Sequence, residues 1–381
     1  MIKLLNPFVI GHYESPEYFC DREEETALLR KHVVNGRHVT LISPRRLGKT
    51  GLIKHFFGQE DIQSDFYTFF VDIYATTSLA ELVQLLGKEI FEKLKPLKTQ
   101  WSERFMQVVK SLRAGVKVDA MSGEMTFDIG LGEIHSPETS IDEIFCYLEE
   151  ADRHCIIAID EFQQITGYDE KNVEALLRTK IQHCRNVTFI YTGSKSHMMT
   201  QMFNSSAKPF YMSAIGMSLH QIPRETYCDF ACQLFENYGK QLDREVAEDV
   251  YDRYDGYTWY MQMMLNELFS LTPQGGVCHE SLISEALHNI ILSQNDFYME
   301  TMARLATKQK VLLKAMAREY HERRECIKGI TSAAFIKKYH LPSSSSVQSA
   351  LKGLTEKDIV TVQDGSYRLS DFFFMEWCAE N

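Results

Sequence analysis

Ser43 to Thr50 reads SPRRLGKT, a small residue separated by four others from Gly-Lys-Thr. The spacing is that of the loop that cradles phosphates, with Ser43 standing where the pattern has its first glycine. In such a loop the backbone N–H groups of Arg46, Leu47, Gly48, Lys49, Thr50 and Gly51 point at phosphate oxygens as a helix begins, and the helix dipole also favours an anion there. Lys49 would lie against the phosphates as a point charge, and Thr50 would ligate Mg²⁺. Val39, Leu41 and Ile42, just before the loop, suit a buried strand. A serine forced into a left-handed backbone would be strained, so Ser43 is expected in an ordinary allowed conformation.

A phosphate loop needs a carboxylate to hold the metal, placed at the end of a buried strand. Cys155 to Glu161, CIIAIDE, supplies one. Asp160 is expected to orient Mg²⁺, and Glu161 to act as general base on the attacking water. Val187 to Gly193, VTFIYTG, reads as a third strand of the same sheet, followed by Ser194. Ser194 is the candidate reporter of the γ-phosphate, with Thr192 in reserve; Ser194 as a cap for the helix starting near Ser196 fits the sequence equally well.

Taken together these residues resemble the AAA+ and STAND group of P-loop ATPases, most closely the archaeal-type ATPases that are also widespread in bacteria such as the Bacteroidetes. The resemblance covers nearly the whole chain. Asn6-Pro7-Phe8 and Phe19 to Glu23 look like that family's opening segment, which ends in a G-R-E box near the adenine, with Asp21 in place of the glycine. It implies base contact for Phe19 or Arg22; a capped start to the helix Glu23 to Val33 is the alternative. Val71 to Tyr74 resembles the family's second strand, Gly193-Ser194 its sensor strand, and Tyr367 to Phe373 with Trp377 its C-terminal Y-x-L-x-D-P-F-F…W pattern, Phe372 replacing the proline.

The resemblance also has gaps. Relatives carry P-L-Y-G-R after the sensor strand, where this chain reads Pro209 to Ser213, PFYMS, without the arginine. Arg178, in a helical stretch after the acidic strand, and Arg185 are the candidate substitutes, although either fits a solvated helix face. Gly256-Tyr257-Thr258 has threonine where a G-x-P lid motif has proline. The resemblance implies an α/β P-loop NTPase of AAA+-like type, a parallel sheet with a helical lid and a C-terminal winged helix. The expected domains are a core over residues 1–222, a lid over 223–295 and a winged helix over 296–381.

The elements must place these groups. The alternation of strands and helices up to Gly193 argues a parallel sheet with helices on both faces. Phe66 to Ile73 reads as a strand and Ser78 to Leu94 as a helix. A β-hairpin turning at Ser122-Gly123 is expected within residues 115–131, as an insert. Residues 224–294 read as helices, the expected lid, with the Met261, Met263 and Met264 group as core filler. Beyond Asp296, helices over Gln309 to Arg318, Ser332 to Tyr339 and Ser344 to Lys357 precede a small hairpin. In a DNA-binding winged helix Ser344 to Lys357 would be the reading helix, though its face offers Ser, Gln and Lys352 rather than a row of arginines.

At 381 residues, 44% hydrophobic and 24% charged, the chain has the composition of an ordinary globular protein of two or three domains. A net charge of −11 argues against broad attraction to nucleic acid. The last 81 residues, however, carry 13 Lys and Arg against 9 Asp and Glu, so that region is +4 and the first 300 residues −15. Nine isolated cysteines without a C-x-x-C pair fit a reducing cytoplasm, and Cys228 with Cys232 are expected as packing residues rather than zinc ligands. No membrane span and no signal peptide are expected. The sequence thus points to Mg-dependent ATP binding and hydrolysis as a conformational switch, or alternatively to a nucleotide-gated module that binds DNA or protein with little turnover. Self-association is open on this reading.

Overall fold

The computed structural model describes residues 4–94, 115–118, 125–128, 136–363 and 365–380, which divide into two compact units. One comprises residues 12–220; the other comprises residues 1–11 with 221–381.

The first unit is built on five parallel strands: β1 (Val39–Ile42), β2 (Phe66–Asp72), β5 (His154–Asp160), β6 (Val187–Gly193) and β7 (Ile215–Ser218), in the order β2-β5-β6-β1-β7. The central strands are near-continuous apolar runs because helices cover both faces of a parallel sheet. Every residue of β6 is buried, whereas in the edge strand β7 only Met217 is. α1 (Glu23–Val34), α2 (Lys49–Phe57), α3 (Glu60–Asp65), α4 (Leu79–Lys93), α5 (Pro137–Glu149), α6 (Val173–Ile181) and α7 (Ser196–Asn204) accompany the sheet. The core gathers Tyr191, Phe162, Phe203 and Phe210, with ring centroids 4.6 to 6.0 Å apart. The expected insert appears as antiparallel β3 (Gly115–Val118) and β4 (Met125–Asp128); its expected turn at Ser122-Gly123 lies outside the described residues.

The second unit holds α8 (Arg224–Asn237), α9 (Arg244–Arg253), α10 (Thr258–Leu271), α11 (Ser281–Ser293), α12 (Asn295–Ala303), α13 (Thr307–Arg323), α14 (Ala333–Lys338), α15 (Ser344–Glu356) and α16 (Phe372–Glu380). A two-residue parallel pair, β8 (Gln241–Leu242) with β9 (Val277–Cys278), interrupts the region expected to be wholly helical. The antiparallel β10 (Val360–Gln363) and β11 (Ser366–Leu369) form the wing. Lid and winged helix, expected as separate domains, share one core. Tyr254 and Tyr260 pack edge-on against Phe372 and Phe373, the Tyr260 hydroxyl donates to Ser370 O at 3.0 Å, and the Arg368 guanidinium carbon lies 4.6 Å from both the Tyr257 and Phe372 ring centres.

The N-terminal segment corrects the expected domain boundary. Asn6 to Phe8 belong to the second unit and not to the phosphate-loop core: Asn6 Nδ2 donates to Asn266 O at 2.9 Å, Asn266 Nδ2 donates to Phe8 O at 2.7 Å, and the Phe8 ring packs on Phe235 and Phe269. The reason is a fully buried Phe8, whose partners lie about 230 to 260 residues away and leave no local trace.

Backbone geometry accommodates several departures from the family pattern. Asp21 (φ 57°) and Met212 (φ 51°) replace glycines yet keep the left-handed backbone those glycines would adopt. Ser43 is absent from the left-handed residues, as its allowed conformation required. Thr258 and Phe372 replace prolines at the first residue of α10 and α16, where proline is favoured but not needed. Asp371 caps α16 by accepting from Phe374 N at 3.0 Å. Met212 is the strained case, because it is 77% exposed and gains little from packing. Met212→Gly is therefore expected to stabilise the chain by about 1 kcal/mol, the cost of a left-handed residue less the entropy of glycine. Chemical denaturation checks this, and an unchanged or lower midpoint would refute it.

Candidate nucleotide site

Three strand ends and one loop build the site. β1 runs into the loop 43–48, and α2 starts at Lys49. Left-handed Arg46 (φ 70°) and Gly48 (φ 91°) alternate with ordinary residues, the backbone pattern that curls successive N–H groups around an anion. Ser43 and Leu47 are buried, and Lys49 is only 7% exposed. Lys49 Nζ donates to the loop's own carbonyls, Ser43 O at 3.0 Å and Pro44 O at 3.2 Å. Burial lowers the pKa of this ammonium and the Arg45 charge lowers it further, while the Asp160 and Glu161 charges pull it back up.

The acidic strand β5 is not a neighbour of β1. β6 lies between them, pairing Ile42 with Gly193 on one side and Ile159 with Tyr191 on the other. Parallel packing puts all three C-terminal ends at one edge of the sheet, where ligands bind in open α/β folds. There Asp160 joins the groups: Thr50 Oγ1 donates to its Oδ2 at 2.9 Å, Thr192 Oγ1 donates to its Oδ1, and Glu161 N donates to Oδ1 at 3.0 Å. Thr192 is thereby placed on the carboxylate that would face the metal. A hydroxyl and one carboxylate fit Mg²⁺, which takes few protein ligands and completes its shell with phosphate and water. Among the described residues no cluster of three or more His, Cys, Asp or Glu side chains forms a protein-only metal cage. Cys228 and Cys232 lie on α8, the first buried and the second half-buried.

Glu161 sits in a left-handed turn (φ 55°) directly after β5, which swings its carboxylate to the end of β6. Its Oε2 accepts from Ser194 Oγ at 2.8 Å, Ser194 N at 3.4 Å and Gln163 Nε2 at 2.5 Å. Burial alone would raise this pKa. The bonds from Gln163 and Ser194, with the Lys49 charge, overcome burial and hold Glu161 below the usual carboxylate range. The carboxylate therefore stays ionised through neutral pH and loses its charge only at pH values below the usual carboxylate range. Removing donors while burial stays raises the pKa. The acid limb of any turnover profile is thus expected to move to higher pH in Ser194→Ala and in Gln163→Ala, and an unmoved limb would show that these bonds do not set it.

Sequence reasoning missed two groups. Gln163 is buried, and its Oε1 lies 2.3 Å from where a Cβ on Gly193 would stand, so only a glycine there admits the amide. Asp72 ends β2 in register with Asp160. Desolvation raises its pKa, and the Asp160 and Glu161 charges add to the rise. The signal for Asp72 was an acid at the end of an apolar strand, the same signal that marked Asp160. Gln163 had none, because it reaches Glu161 only through the turn of 3-10 helix Phe162–Gly167.

Phe19 and Arg22 reach the phosphate-loop region by different means. Phe19 stacks on His55 of α2 with centroids 4.6 Å apart, and Gly51 gives it room, since a Cβ there would be 3.2 Å from the ring. Arg22 is 4% exposed, and its guanidinium donates to Glu25 Oε1 at 2.6 Å, Leu47 O at 3.5 Å and His220 O at 2.7 Å. Those protein partners make it a brace for the loop. The structure does not bring Arg178 to the carboxylates: with burial and His154, its charge helps to push His38, at the opposite end of β1, down to about pKa 4. Arg185 lies two residues before β6, also at the end away from Ser194. The Ser213 hydroxyl donates to Phe210 O at 2.7 Å.

Comparison with known proteins agrees with this geometry. A family model described as a probable winged helix domain matches residues 296–380. A Walker-type ATPase of Pyrococcus abyssi superposes with a TM-score of 0.61 at 16% identity, covering 98% of this chain and 99% of that one. The ORC2 protein of Aeropyrum pernix, in ADPNP and ADP complexes, gives 0.60 at 14% identity over 98% of this chain and 95% of that one. The ORC1 protein of the same organism, in complex with DNA, gives 0.52 at 12% over 95% and 93%. At these identities the likeness is one of fold. No curated protein is significantly similar in sequence. A family model for an ATPase domain predominantly from Archaea matches residues 19–264, well over half the chain, and with the phosphate loop, the acidic strand and β6 between them in place, the chain belongs to that ATPase family.

Proposed function

We propose that the chain binds Mg-ATP and hydrolyses it as a conformational switch. The observation that carries this reading is the junction of Thr50, Asp160, Thr192, Glu161 and Ser194 at one sheet edge beside Lys49. When bound, Mg²⁺ would be held by Thr50 and Asp160 and would neutralise phosphate charge. Lys49 leaves its two loop carbonyls for the β- and γ-phosphates. Glu161 takes a proton from the attacking water as the new oxygen–phosphorus bond forms; the bond from the γ-phosphorus to the bridging oxygen breaks and ADP leaves. Phe19 and Arg22 serve the base end of the site, Arg22 by bracing Leu47. Arg22 also grips His220, the residue before the second unit begins, which supports coupling of the loop to that junction.

Phosphate release from ATP by the full chain, with and without Mg²⁺, tests the reading. Release that requires Mg²⁺ is expected, and ATP binding without release would leave a nucleotide-gated binding module instead. A second reading concerns partners. The winged helix carries an excess of positive charge and presents the exposed start of α15, with Ser344 and Lys352 on its surface. These features support a duplex DNA or protein partner, and stimulation of phosphate release by added duplex would favour DNA. No helix among the described residues is long and apolar enough to cross a membrane. The scattered cysteines, none of them in a disulfide among the described residues, support a reducing, cytoplasmic setting.

A further inference from the structure

Phosphoryl transfer needs a cation at the transferring group, and the arginine of the family's P-L-Y-G-R pattern is Ser213 here. Arg178 acts on His38, just before β1, and Arg185 lies two residues before β6, both at the strand starts and away from the edge that holds Glu161. The cation that does reach the carboxylates comes from the phosphate loop itself. Arg45 Nε donates to Ser194 Oγ at 3.2 Å, Ser194 Oγ donates to Glu161 Oε2 at 2.8 Å, and the Arg45 charge is strong enough at Lys49 to help lower its pKa. Its guanidinium carbon lies 5.5 Å from the centre of the Tyr74 ring, just beyond β2, which gives it a second support.

The hydrogen-bond inventory then decides what each group can do. A serine hydroxyl has one proton, and Ser194 donates it to Glu161. While Glu161 is held this way, Ser194 has no proton to offer a γ-phosphate. A guanidinium has five N–H donors, and the bond to Ser194 uses the one on Nε. The fork beyond it is a planar donor pair suited to phosphate oxygens.

We propose that Arg45, from the phosphate loop of the same chain, supplies the charge that stabilises the γ-phosphoryl group in transfer, and that Ser194 links it to Glu161 so that charge donor and base are positioned together. The inference rests on the hydrolytic reading above. As water adds to the γ-phosphorus and the bridging bond breaks, negative charge gathers on the equatorial and bridging oxygens, and the Arg45 fork faces that charge. Glu161 takes the water proton. The lost P-L-Y-G-R arginine is therefore compensated within the chain, without a neighbouring subunit.

Arg45→Ala and Arg45→Lys in the full chain test this, with three readouts: kcat and KM for Mg-ATP, equilibrium affinity for ADP, and retention of ADP with aluminium fluoride, which mimics the transferring phosphoryl. Arg45→Ala is expected to lower kcat by 10²-fold or more, below the full range of an arginine finger because Lys49 remains. ADP affinity should stay within about threefold, as for an interaction made mainly in transfer, and retention of the ADP–aluminium fluoride complex should be lost. Arg45→Lys should recover part of kcat through its charge. The proposal is overturned if Arg45→Ala turns over within about threefold of the parent, keeps the aluminium fluoride complex, or loses ADP affinity as steeply as kcat. If the parent chain releases no phosphate but retains the complex only with Arg45, hydrolysis fails and the charge role stands. If the parent does neither, both fail.

Discussion

Glu161→Gln is expected to bind ATP as the parent does and to turn it over 10² to 10⁴-fold more slowly, the range that a positioned general base contributes. The amide is nearly isosteric, and its oxygen can still accept from Ser194 and Gln163, so the turn after β5 keeps its shape. What it lacks is the proton-accepting charge. That charge is secured in the parent by three donors on Oε2 and by Lys49, which outweigh burial and keep the carboxylate ionised at neutral pH. Removing a negative charge beside bound phosphates does not weaken binding. Equilibrium titration with ATP alongside single-turnover phosphate release separates the two effects. A Glu161→Gln chain that releases phosphate within tenfold of the parent would dismiss Glu161 as the base.

Lys49→Ala is expected to abolish the rise in melting temperature that Mg-ATP gives the parent. Truncating one partner of a buried, hydrogen-bonded charge pair costs about 2–5 kcal/mol, a loss of roughly 30-fold in affinity at the low end. Ligand stabilisation follows affinity, so at ATP concentrations near the parent's dissociation constant the shift should vanish. Without nucleotide the variant should melt close to the parent. The ammonium is disfavoured by burial and favoured by Asp160 and Glu161, and the two contributions oppose each other when it is removed. An ATP-dependent shift equal to the parent's would show that Lys49 does not meet the phosphates. A nucleotide-free chain melting many degrees lower would instead mark a structural role for the Lys49 bonds to Ser43 O and Pro44 O.

The sequence by itself determined the elements whose signals are local. A phosphate loop announces itself because loop, lysine and hydroxyl are contiguous, and one helix start must present them together. β1, β5 and β6 were legible as apolar runs because central parallel strands are buried on both faces, and Asp160 was legible because an acid ends one of them. The winged helix could be read from helical periodicity and a short hairpin, although α13 runs from Thr307 to Arg323, beyond the span its apolar pattern marked.

The tertiary structure alone decided relations between distant segments, because such contacts impose no spacing on the chain. It set β6 between β1 and β5, which makes Thr192 a partner of Asp160 and Ser194 a partner of Glu161. It drew Asn6 to Phe8 onto helices more than 200 residues away, through one buried aromatic ring and two amides. It fused lid and winged helix around Arg368, with Phe372 and Tyr257 on either side of the cation. Arg45, one of two adjacent arginines inside the phosphate loop, and Arg178, in a helix after the acidic strand, carry the same charge and no local mark of which one serves the site. Only the sheet separates them: strands parallel to one another send residue 45 to the carboxylate edge and leave residue 178 with His38, at the opposite end of β1.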